Sequence, residues 1–79
     1  MKQLKVGMLV HVKSESIDDS YTVIERTVDE EGGITIYDLH WEGPENPDVE
    51  PKHTLSVGSD GQFMVEFGNM EEAEVTVIA

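Results

Sequence analysis

The chain has no cysteine, which excludes disulfides, a thiolate nucleophile and any zinc-thiolate cluster. It has only five Lys and Arg residues against 17 Asp and Glu, a formal net charge of −12. No apolar run approaches the ~20 residues of a membrane-spanning helix. Met1 to Lys13 lacks the uninterrupted apolar segment of a secretion signal, so a cytoplasmic protein is expected. Glycine-rich phosphate loops and nucleophile elbows are missing as well, and the acids concentrate in turns and loops rather than in apolar pockets that would raise a carboxyl pKa. An enzyme is therefore not expected, and no cofactor is implied.

What is present is a 79-residue chain, read as one domain over 1–79. That length is close to the limit at which one apolar core sustains a fold. It leaves no room for a buried cofactor pocket of ordinary size, and without cysteine the core must hold by packing. Hydrophobic content of 38% with period-two patterning argues against disorder. Charge of this size repels nucleic acid and anionic membrane, so the natural partner is a basic protein surface. The charge is uneven: Lys2, Lys5 and Lys13 occupy a stretch without acids, leaving Arg26 and Lys52 against all 17 acids.

The stretch Tyr21 to Trp41 organises the chain. Two β-rich runs meet at Asp29-Glu30-Glu31-Gly32-Gly33, where glycine permits the positive φ of a chain reversal. Residues 5 to 13 read as a first strand, with Val6, Met8, Val10 and Val12 on one face. In the hairpin, Tyr21 and Val23 share a face while Ile24 and Val28 share the opposite one. Beyond the turn Ile34 and Ile36 oppose Tyr37, Leu39 and Trp41. Apolar residues on both faces predict a β-bulge, placed near Tyr37 and Asp38.

Glu42 to Lys52 holds all three prolines and reads as an extended surface loop. Thr54–Val57 and Gln62–Phe67 flank a second turn, with Leu55 and Val57 facing Phe63, Val65 and Phe67. Gly68 to Glu72 reads as a single helical turn. Ala73, Val75 and Val77 then alternate with Glu72, Glu74 and Thr76 in a closing strand with an acidic outer face.

Five to six short strands without an amphipathic helix predict an all-β, small antiparallel barrel. Val6-Gly7-Met8-Leu9-Val10-His11-Val12, Tyr21-Thr22-Val23-Ile24 and the final Val75-Thr76-Val77-Ile78 give a strand layout that resembles SH3-like small barrels over nearly the whole chain. The resemblance implies a binding fold, since such barrels mostly bind peptides, nucleic acid or proteins. Nucleic-acid-binding members carry a basic surface, and this chain departs from that pattern.

Three groups of residues are candidates for function. Glu42, Glu45 and Asp48 recur every third residue, the period of polyproline II, which would line them along one edge at roughly 9 Å spacing. With Glu50, Asp29, Glu30, Glu31, Glu72 and Glu74 they could present charge resembling a phosphate backbone to the basic groove of a nucleic-acid-binding protein. Alternatively, these acids only maintain solubility and discourage edge aggregation. Trp41, with Tyr37 and Tyr21, could anchor a partner as an aromatic patch or simply pack the core. His11, His40 and His53 with Asp38 have ligand chemistry suited to zinc but no ligand spacing, and read equally as surface histidines.

The expected function is a small acidic protein-binding module that inhibits or modulates a nucleic-acid-binding or host defence protein, similar in type to phage-encoded inhibitors. The alternative is an adaptor barrel that self-associates in a viral or cellular assembly.

Overall fold

A computed structural model describes residues 4–44, 47–48, 51–67 and 69–79. Six strands form: β1 Leu9–Lys13, β2 Asp18–Asp29, β3 Ile34–Trp41, β4 Lys52–Val57, β5 Phe63–Phe67 and β6 Asn69–Val77. Each pairs antiparallel with its neighbour in sequence, and β1 closes against β6 to complete a barrel. No helix occurs among the described residues.

Alternation decides what fills the interior. Val10, Val12, Tyr21, Val23, Tyr37, Leu39, Leu55, Val57, Val65 and Ala73 point inward and are buried, and Leu4 and Ile17 join them from outside the strands. Burial of each large side chain contributes on the order of 1.5–3 kcal/mol. The cross-strand pairs Leu55↔Val65 and Val57↔Phe63 match the predicted second hairpin. Ala73 is buried with Val75 and Val77 half-buried, while Glu72, Glu74 and Thr76 face water, as the closing strand requires.

Three sequence expectations need correction. The first strand begins at Leu9, because Gly7 takes φ 95° in a turn in which the Met8 N–H donates to the Lys5 carbonyl at 3.1 Å. Val6 lies outside the core and is 61% exposed.

The expected helical turn before the last strand is replaced by β6, which starts at Asn69; Gly68 lies outside the described residues. Pairs Phe67↔Asn69, Glu66↔Met70 and Val65↔Glu71 extend the β5–β6 ladder through this stretch. A single helical turn fixes several dihedrals for one hydrogen bond, whereas the ladder satisfies the same backbone groups with less ordering per bond.

The bulge exists, but on β2. The register passes from Val23↔Leu39 to Glu25↔Asp38, so Ile24 is the extra residue. Beyond it, residues 24–29 of β2 leave the barrel wall and all are exposed.

Candidate functional site

The outward acids of the barrel fall into separate groups. At the hairpin tip Asp29 closes the ladder opposite Ile34, and its Oδ1 accepts the Gly32 N–H at 3.1 Å. Gly33 adopts φ 66°, and Glu30 and Glu31 project into solvent. On β6, Glu72 and Glu74 are exposed, Glu74 beside Lys13 of β1 and Glu72 beside Met64 of β5. In strand order these two clusters are separated by β1 on one side of the barrel and by β4 and β5 on the other.

Glu42 is exposed, with its carboxylate 3.5 Å from His40 Nδ1, and Asp48 is exposed in a turn. Glu45 and Glu50 lie outside the described residues, as does the polyproline edge they would form with Glu42 and Asp48. Among the described residues, the acids expected to form one ridge fall at the hairpin tip, on β6 and beside the proline-containing segment.

The ladder assembles a different row. Glu25 of β2 pairs with Asp38 of β3, Asp38 with Thr54 of β4, and Thr54 with Glu66 of β5. Directly paired residues share a face, so three carboxylates and a hydroxyl cross four adjacent strands on the outside of the barrel. With strands roughly 4.8 Å apart, Glu25 to Glu66 spans about 14 Å. Among the described residues no Lys, Arg or His lies within salt-bridge distance of any of the three. Like charges directly opposite are destabilising.

The bulge marks where this row begins. If the Val23↔Leu39 register ran on without a shift, Ile24 would face Asp38 and Glu25 would face Tyr37.

Aromatic residues supply less exposed surface than sequence allowed. Tyr37 is fully buried, and its hydroxyl accepts the Leu4 N–H at 3.2 Å, tying the N-terminal segment to β3. Tyr21 is buried with its ring edge-on to His53, centroids 5.4 Å apart. Burial, reinforced by the nearby Asp19 carboxylate, pushes the Tyr21 phenol up to about 12, so it stays neutral at physiological pH. Trp41 is half-buried against the core, and Gly43 lies under its indole so closely that a Cβ there would overlap the ring. Trp41 is thus a core-edge residue that is only partly exposed.

The histidines disperse. His11 Nε2 lies 2.6 Å from Asp18 Oδ1, His40 is near Glu42, and His53 meets Tyr21. Among the described residues no group of three metal-ligating side chains converges.

One acid has a local structural task. The Glu71 carboxylate accepts the hydroxyls of Ser14 at 2.8 Å and Ser16 at 2.6 Å and the Ser16 N–H at 3.0 Å, fastening the β1–β2 loop. Hydrogen bonds from the Ser16 and then the Ser14 side chain hold its pKa below the ordinary glutamate value. Ile17, buried in the same loop, closes the core beneath it. Beside this latch lies an open groove of about 390 Å³ lined by Lys13, Glu15, Gln62, Glu72 and Glu74.

No protein-family model, characterised protein or solved structure matches this chain. The Glu25–Asp38–Glu66 row is the feature of its surface in which like charges are set side by side without a basic partner among the described residues.

Proposed function

We propose that this chain is a small acidic binding module that docks on a basic protein surface of the kind that holds nucleic acid, and so blocks or modulates that surface. The observation that carries the reading is the uncompensated row Glu25, Asp38 and Glu66 on the outer face of a closed barrel. In the isolated protein the row costs stability. Against a partner's lysines and arginines the same charges form charge-assisted hydrogen bonds and speed encounter by long-range attraction. The net charge of −12 adds steering, and the barrel holds the row in place with little ordering to do on binding.

A salt-dependent titration tests this. The protein is mixed with a basic nucleic-acid-binding domain at about 50 mM and about 500 mM salt, with fluorescent DNA as a displaceable competitor. A complex at low salt that releases DNA and dissolves at high salt is expected. The triple variant Glu25→Gln, Asp38→Asn, Glu66→Gln loses more affinity than Glu15→Gln, Glu72→Gln, Glu74→Gln, which removes the same charge elsewhere. Absence of a complex at low salt, or equal losses in the two triples, overturns the assignment.

A further inference from the structure

Beyond Val23, β2 has a strand on one side only. Val23 still belongs to the closed wall: its N–H donates to the Met8 carbonyl at 2.9 Å and its carbonyl accepts the Gly7 N–H at 2.8 Å. From Glu25 to Asp29 the strand pairs with β3, and among the described residues nothing pairs with its other edge. Hydrogen-bonding direction alternates along an antiparallel strand. Val23 points away from β3, and after the one-residue shift at Ile24 it is Arg26 and Val28 whose N–H and C=O groups point to the open side.

Natural edges are commonly blunted by proline, charged side chains, bulges or burial. This one begins at a bulge and carries Glu25, Arg26 and Asp29 but no proline or lysine, and it exposes Ile24 and Val28, 41% and 46% accessible.

Charge decides what fits there. Glu25, Thr27 and Asp29 share the face of Asp38, with Glu30 and Glu31 just beyond. A second copy of this chain pairing antiparallel about Thr27 would set Glu25 against Asp29 twice, which like-charge repulsion opposes. A strand with Lys or Arg at alternate positions would set cations beside Glu25 and Asp29, and the intervening apolar side chains would cover Val28.

We propose that the free edge of β2 from Glu25 to Asp29 receives an extended, lysine- or arginine-alternating segment of the partner protein as an added β-strand. This rests on the basic-partner reading above and specifies how the partner is held.

The probe is a capped heptapeptide of alternating lysine and valine. Its control has the central valine replaced by proline, with identical charge but one backbone donor fewer and a broken strand. The first is expected to bind about ten-fold more tightly or better, the difference that one or two backbone hydrogen bonds supply. Binding is also expected to slow exchange of the Arg26 and Val28 amides.

Arg26→Pro, which removes an outward N–H, is expected to weaken binding although it makes the protein more negative; Arg26→Gln, with the same charge change, is not. If Arg26→Pro unfolds the chain, the exchange pattern of the native protein decides. Equal affinity for both peptides, or protection elsewhere, overturns the edge while leaving the acidic surface as the docking site. Binding of neither peptide at low salt overturns both.

Discussion

Replacing Asp38 by Asn removes the central charge of the outer row while keeping its shape, and the structure sets the size of the effect. Asp38 faces Glu25 across a directly paired position, about 5.5 Å between Cα atoms, and Glu66 two strands away at about 9.6 Å. In water at about 0.1 M salt these repulsions together amount to about 0.6 kcal/mol. Asp38→Asn is therefore expected to raise the thermal midpoint by about 2–5 °C for a domain of this size. In 1 M salt, where the screening length falls to about 3 Å, the gain shrinks to about 0.1 kcal/mol and less than 1 °C. Calorimetry at the two salt concentrations reads both numbers. The same substitution is expected to weaken binding to a basic partner at low salt. A variant that is no more stable than the native protein at low salt, or whose gain persists undiminished at 1 M, would refute the repulsive row on which the functional reading depends.

Two further outcomes test the frame that holds the row. Tyr37→Phe leaves the buried Leu4 N–H without its acceptor, at a cost of about 1–3 kcal/mol; a thermal midpoint within 2 °C of the native protein would contradict that hydrogen bond. Because Glu71 has a depressed folded pKa, its contribution is fully present above the ordinary glutamate range and is lost as pH falls through the lowered value. The stability gap between the native protein and Glu71→Gln is thus expected to hold constant from pH 7 to about 5 and to narrow below about 4.5; a gap unchanged down to pH 3 would contradict the serine latch.

The barrel was legible because its strands obey alternation: Val10 and Val12, Leu55 and Val57, Ala73 and Val75 mark inward faces without help from context. The bulge was legible too, with its strand misassigned. Tyr37, Leu39 and Trp41 keep an unbroken odd-numbered series, whereas Tyr21 and Val23 give way to Ile24 and Val28, so the break in parity always lay in β2. The strand at 69–72 was hidden because Asn69, Met70, Glu71 and Glu72 have no β-propensity of their own; pairing with β5 overrides local preference there. The site was least legible. Runs of acids in sequence drew notice to Asp29–Glu31 and to the proline loop, while Glu25, Asp38 and Glu66 stand alone in the chain and meet only through register. Their adjacency depends on strand register, which composition cannot reveal.

That dependence links the two surface features. The register shift at Ile24 lies where Glu25 first faces Asp38 and where β2 keeps only β3 as a partner, so the acidic row and the unpaired edge begin at the same place. Each alone is a liability, the row through repulsion and the edge through aggregation. Placed together they restrain each other: the carboxylates keep copies of this chain from pairing along the edge, and the edge offers backbone hydrogen bonds to any strand that brings the missing positive charge. Deleting Ile24 would remove the bulge and leave Val23 opposite Leu39 and Glu25 opposite Asp38 in one regular register, so the deletion spares the row and alters only the path of β2 where the edge begins. A loss of partner binding on that deletion, with the row intact, is what a joint site requires; binding unchanged from the native protein would leave the row as a docking surface without the edge.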